Sequence, residues 1–383
     1  MTKDNRYRDS AQLARRASLG FLSAVGVGSL LPYGIRSALA VDAVPFYSHA
    51  DFMLASMRGW SLPRLDGFTQ AGQRLLQSLQ ADANRSKPTA SREAWQAMLV
   101  QWVELTAITT GPLISRRSLL AMDFQPPRLR LIQQAQSLQA DQANPLGLDQ
   151  LEQIGTPAKG LPSLEWLLWQ HQGLTWSAQT ALYAQAITQE LLHLAKLLQQ
   201  DWRELIQTVQ AGPATPDDPD PATERFSEFL NQYVGSIEKL RWTSLEKPLR
   251  AAAGSHGQFK RTQSGPSFPR AVSQSTKLEW QAHWGTLRTF TLRSAGKTPS
   301  RQTPSEPLSL ELFLLGQGQI DLAKRLRQTA LQCDRQMKGL APNASETRLF
   351  GASKSLAALK YLVESDLSSA LQVQIGFSDA DGD

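Results

Sequence analysis

From Trp176 to Val209 apolar residues recur at helical spacing: Ala178, Leu182, Ala186, Leu191, Leu194, Leu198, Trp202 and Leu205. A stripe sustained that long requires one helix with one face against a core. The pattern repeats along most of the chain. Trp95, Met98, Leu99, Trp102, Leu105 and Ile108 form a second stripe. Ser91 reads as its N-cap with Glu93 in the first turn, and Gly111-Pro112 stops it. Residues 45–80 read as a long helical region interrupted at Pro63. Further helices are expected over 226–240, 277–292, 308–337 and 353–373. No segment shows the period-two alternation of a half-buried strand. The expected fold class is all-α, built as two packed helical bundles.

Residues 211–223 hold four prolines and three aspartates. Such a run neither continues a helix nor fills a core. It divides the chain into an N-terminal bundle over 41–210, a linker over 211–224 and a C-terminal bundle over 225–383. Residues 254–276 form a basic Gly/Pro/Ser/Gln-rich loop with Lys260, Arg261, Arg270, Phe259 and Phe268, expected at a domain or substrate interface.

Residues 1–40 read as an export signal. Arg15-Arg16 precede an apolar stretch from Leu19 to Leu31, and Ala38-Leu39-Ala40 is a small-x-small cleavage site. The twin arginines point to the Tat route, with Sec as the alternative. The apolar stretch is short and glycine-interrupted for a membrane span. Removing it takes away six Lys/Arg and two acids, which leaves 34 basic against 32 acidic residues. So balanced a charge offers no general attraction to nucleic acid. The single cysteine, Cys333, excludes an internal disulfide and a cysteine-based zinc cluster.

The stretch most informative about function is Gly160-Leu161-Pro162-Ser163-Leu164-Glu165-Trp166-Leu167-Leu168-Trp169. It opens a helix, with Pro162 suited to the first helical position. Glu165 falls on the stripe of Leu161, Leu164 and Leu168, so its carboxylate should be buried. A buried carboxylate needs a partner. One reading is a helix-start glutamate tied to backbone N–H groups or an arginine. The other is a binding-site carboxylate. Arg116 and Arg117, just past Gly111-Pro112, are candidate partners, alongside a bound ligand or protonation with hydrogen bonds.

Gly160-x-x-x-x-Glu165 followed by Trp-Leu-Leu-Trp resembles the signature of the imelysin family, envelope proteins known as peptidase M75. Many members carry Gly-x-His-x-x-Glu there, and Pro162 stands in the histidine's place. The resemblance extends to the tryptophan-bearing helix ending in Gly111-Pro112, followed by Asp123-Phe124-Gln125-Pro126. There Gln125 replaces an aromatic, and Leu99 stands where an arginine is common. It extends also to Lys247-Pro248-Leu249 and to the tail Gly376-Phe377…Asp381-Gly382-Asp383. The resemblance implies two bundles related by duplication. It implies a periplasmic location, a link to iron uptake, and a debated peptidase activity.

A metallopeptidase needs histidine and carboxylate ligands around an activated water. The five histidines form no His-Glu-x-x-His, and no nucleophile elbow is present. Two one-face pairs remain as metal candidates: Glu190 with His193, and Glu279 with His283. Iron or another divalent metal would be the implied cofactor. The expected function is a periplasmic ligand- or metal-binding accessory of iron uptake. Its partners would be envelope or uptake proteins, without nucleic acid and without a transmembrane span after cleavage. The alternatives are an M75-type peptidase using Glu165 and a non-catalytic structural protein of the envelope. The candidate ligand-binding residues are Gly160, Pro162, Glu165, Arg116, Arg117 and Asp381.

Overall fold

The computed structural model describes residues 44–253, 266–294 and 306–376. The export signal, Lys260 and Arg261 of the basic loop, and the tail with Asp381 lie outside the described residues.

The chain runs α1 (His49–Ser56), α2 (Leu62–Asp82), α3 (Thr89–Thr106), short α4 (Pro112–Ser115) and α5 (Ser118–Met122), then α6 (Leu129–Ala140). Next come α7 (Leu148–Glu152), α8 (Gly160–Leu168) and the 34-residue α9 (Ala178–Ala211). After the proline-rich connection come α10 (Pro221–Glu238), α11 (Lys247–Ala253), α12 (Thr276–Thr291) and α13 (Leu310–Gly316). The chain then continues through α14 (Ile320–Met337), α15 (Glu346–Tyr361) and a last turn, α16 (Ser368–Ala370). No strand occurs among the described residues.

Local chemistry sets the helix ends. Ser177 caps α9 by accepting from the Thr180 N–H, and Gly212 ends it at φ +73°. Asp220 caps α10 by accepting from Ala222 and Thr223, with Pro221 at the first helical position. Helix α3 starts at Thr89, ahead of the Ser91 cap expected from sequence, and Ser91 lies buried in its first turn. There its N–H and hydroxyl both donate to Asp82 Oδ2, at 3.0 and 2.9 Å. The hydroxyl serves a neighbouring helix end rather than its own.

Pro63 does not interrupt the first helical region. A π-helical stretch, Met57–Ser61, joins α1 to α2 and places Pro63 in the first turn of α2. A proline ring inside a helix clashes with the carbonyl four residues back, and the wider π turn displaces that carbonyl. The same device recurs in the second bundle. There the π-helical stretch Lys239–Glu246 joins α10 to α11 just ahead of Pro248.

Helix α2 packs along α3 and α9, and α6 and α8 also rest on α9. In the second bundle α14 packs on α13 and α15, while α10 packs on α15. The bundles meet where α1 lies on α10 and α3 on α12. Trp95, Trp102, Trp202 and Trp280 are among the largest fully buried side chains, so the spaced tryptophans of α3 are core residues. Cys333 is buried as well, its thiol donating to the Ser355 carbonyl and its pKa pushed up to about 12 by burial. The site lies along the α3–α12 seam, where α8, the end of α5 and the turn before α12 converge.

Candidate functional site

Helix α8 begins at Gly160 in a conformation only glycine fits well. Its φ is +74°, and a Cβ there would lie 2.5 Å from the Met122 carbonyl oxygen. Pro162 is therefore the third helical residue rather than the first. Two side chains of α3 pin the helix backbone. Trp95 Nε1 donates to the Leu161 carbonyl at 3.1 Å, and Arg92 Nε donates to the Leu168 carbonyl at 2.9 Å. Glu165 is 4 % exposed, in keeping with its place on the leucine stripe.

Its partner comes from the other bundle. Residues 269–275 form a tight turn ahead of α12, with Arg270 at φ +58° and Gln274 at φ +57°. The turn is tied by Ser275 N–H to the Arg270 carbonyl and by the Thr276 hydroxyl to the Pro269 carbonyl. It presents Ser273 to Glu165: the backbone N–H and the hydroxyl donate to Oε1 at 2.9 and 2.6 Å. Glu165 Oε2 faces Arg270 Nη1 at 3.5 Å.

Arg270 sits at the centre of three carboxylates. Nη2 donates to Asp123 Oδ1 at 2.5 Å and Nε to Glu279 Oε2 at 3.2 Å. Nη1 makes no hydrogen bond. The guanidinium lies 5.9 Å from the Trp95 ring centroid. Asp123, at the end of α5, also accepts from Trp102 Nε1 at 3.0 Å. Burial alone would lower the Arg270 pKa. The charges of Asp123, Glu279 and Glu165 outweigh it and hold the guanidinium above its usual range. Burial raises the Glu279 pKa, and Asp123 adds to the rise, against the pull of Arg270. Asp123 and Glu165 thus share the arginine, with Glu279 shifted toward its neutral form.

Above this cluster opens a cavity of about 880 Å³. Glu165 and Arg270 line it, together with Pro162, Trp166 and Trp169 of the α8 region and Thr243, Lys247 and Pro248 from the stretch around the start of α11. Gln125, Gln170, His171 and Gln172 also line it.

The other sequence candidates lie in separate places. Arg116 pairs with Asp201 on α9, its Nη2 2.9 Å from Oδ1, and does not reach Glu165. Arg117 is exposed and caps α5 through its backbone at φ +48°. Glu190 takes the Lys159 ammonium at 2.5 Å, while His193 is exposed. Burial raises the Glu190 pKa against that lysine. Glu279 is spent on Arg270. His283 is bonded through Nε2 to the Ser236 hydroxyl at 2.8 Å, its pKa lowered to about 3 chiefly by burial. Gly160, Pro162 and Glu165 are brought together with Arg270, Asp123 and Ser273. Sequence reasoning does not place these last three in the site. The Asp123-Phe124-Gln125-Pro126 turn draws attention to the first, and the loop expected at a domain or substrate interface contains Arg270 and Ser273.

The donor set does not fit a divalent metal. A cation entering among Asp123, Glu165 and Glu279 would meet a guanidinium already fixed there, and Pro162 brings no ligand. Among the described residues no group of three or more His, Cys, Asp or Glu is disposed to hold a metal ion.

Comparison with known proteins bears on the fold and the family. The family model Imelysin (peptidase M75) matches residues 61–365. A crystal structure of an imelysin-like protein from Psychrobacter arcticum 273-4 superposes with a TM-score of 0.66 at 17% identity, covering 88% of this chain and 99% of that one. A structure described as a “putative iron-regulated protein A precursor” from Parabacteroides distasonis ATCC 8503 gives a TM-score of 0.61 at 10% identity, covering 84% and 95%. No curated protein matches the sequence. With the family model spanning most of the chain and the all-helical architecture shared, this protein belongs to the imelysin family.

Proposed function

We propose that this protein is an exported, non-catalytic ligand-binding member of the imelysin family, acting as a periplasmic accessory of iron uptake. The observation that carries the binding reading is the cavity of about 880 Å³ lined by Glu165 and Arg270 of the buried charge cluster. Its volume falls within the roughly 300–1,000 Å³ of small-molecule sites. Glu165, the carboxylate a peptidase mechanism would need as base, has Oε1 filled by two donors from Ser273 and Oε2 turned to Arg270. A base must be free to take a proton from a water or substrate. Export is supported by Arg15-Arg16, the Ala38-Leu39-Ala40 site and the word “precursor” in the name of one structural neighbour. The iron link rests on that same neighbour's name.

The test has three arms. Material from the periplasm should begin at Val41 by N-terminal sequencing. That protein should be stabilised in a thermal-shift screen of ferric salts, haem and small organic ligands. It should not cleave peptides. Chelator-sensitive hydrolysis abolished by Glu165→Ala would replace this reading with the peptidase one.

A further inference from the structure

We propose that the cavity beside α8 takes a saccharide, held by Trp166, Trp169, Gln170 and Gln172. The proposal rests on the reading of that cavity as a ligand site and specifies the ligand's chemistry.

Two indoles three residues apart, Trp166 and Trp169, line the cavity and are only partly buried. Trp169 is braced by Trp95 at 5.3 Å and by the Arg92 guanidinium, also at 5.3 Å. Trp166 is braced by His171 at 4.7 Å. Neither indole N–H donates to a protein atom among the described residues, and neither is a buried orphan. These are rigid aromatic faces with a free donor at the edge.

The chain then turns through Gln170 at φ 55°, ψ 40° and Gln172 at φ 54°, ψ 38°. Residues with a Cβ enter that left-handed region at a cost, which glycine avoids. Both glutamines line the cavity, and neither amide bonds to the protein among the described residues. The fold gains no side-chain hydrogen bond at these two positions among the described residues, and bears the backbone cost of keeping a Cβ there. Both amides are left free for what enters the cavity.

The lining selects the ligand. An amide donates and accepts together, as a hydroxyl does. Apart from His171, the formal charges that line the cavity are Lys247, Arg270 and Glu165, and the last two face each other. With Glu165 and Arg270 facing each other, Lys247 is the one lining cation without an ion-pair partner among the described residues. A pyranose ring offers an apolar C–H face for an indole and a rim of hydroxyls for the amides. A peptide binding as an added strand would need a sheet edge, and none exists among the described residues.

The purified protein is applied to a glycan array of neutral and acidic oligosaccharides and peptidoglycan fragments, with hits pursued by saturation-transfer NMR. The expected result is a saccharide hit with saturation strongest at ring C–H protons. Trp166→Ala and the double variant Gln170→Gly/Gln172→Gly should each bind about tenfold more weakly. The double variant should melt at the same or a higher temperature, because glycine relaxes both backbone positions. That separates lost contacts from lost folding. No array hit, or a hit indifferent to both variants, overturns the saccharide. If ferric salts, haem or peptides bind and the glycans do not, the saccharide fails and the ligand-binding reading stands. If no ligand of any class binds, both fail.

Discussion

Ser273 and Glu165 are 108 positions apart, yet the serine fills one carboxylate oxygen with both its backbone N–H and its hydroxyl. The contact joins the first helix turns of α8 to the turn that opens α12. It leaves Glu165 Oε2 to Arg270, the arginine that Asp123 and Glu279 also share.

Replacing Arg270 by methionine should therefore leave Asp123 and Glu165 buried without a counter-charge. Breaking such a cluster costs about 3–5 kcal/mol at neutral pH. The variant's stability deficit should shrink on acidification and widen as pH rises. Urea denaturation at several pH values checks this, and a variant as stable as the parent at pH 7 would contradict the balance described here.

Glu165→Gln keeps the acceptor that Ser273 uses and removes the charge that faces Arg270. The expected loss is about 1–3 kcal/mol, the scale of a hydrogen-bonded charge. Calorimetric melting measures it. An unchanged melting temperature would mean that Asp123 and Glu279 alone suffice for Arg270.

Gly160→Ala should be destabilising for two reasons, of which Gly173→Ala isolates one. Both glycines have positive φ, +74° and +80°, and the backbone term is about 1–3 kcal/mol at each. At Gly160 the new Cβ would also meet the Met122 carbonyl at 2.5 Å, whereas at Gly173 nothing lies within 4 Å. The Gly160 variant should be the less stable of the two in urea titrations. Equal losses would remove the close approach as a cause.

His283 makes the fold acid-sensitive. Its folded pKa, about 3, lies below the usual 6.5, with burial the main cause and Lys239 second. The unfolded chain thus takes up the proton first. Stability from this group is complete above pH 6.5 and is lost as pH falls toward 3. The slope is about 1.4 kcal/mol per pH unit. His283→Gln should flatten the pH profile in that window. A profile with the same slope in the variant would assign the acid sensitivity elsewhere.

The helical architecture was legible in the residue order, because helical periodicity is a property of neighbours within two turns. The stripes of α3 and α9 and the burial of Glu165 come from spacing alone, whereas α3 ends at Thr106 and Gly111-Pro112 opens α4 instead of stopping α3. The prominence of Gly160–Trp169, where a glycine, a proline and a carboxylate share one helix start, comes from spacing too. Spacing also indicates that Glu165 must have a partner, since a carboxylate on a leucine stripe cannot stand alone. It does not say which partner. Arg116 and Arg117 are near in the chain, yet Arg116 reaches Asp201 on the adjacent α9. The arginine that serves Glu165 sits in a loop that composition placed at an interface without saying which of its cations would turn inward. Asp123, Glu165, Arg270 and Glu279 meet only after two bundles dock, and charge pairing across such distances leaves no periodic trace. Local physics determined the elements and the need for a counter-charge. The packing of α3 against α12 decided which side chain supplies it.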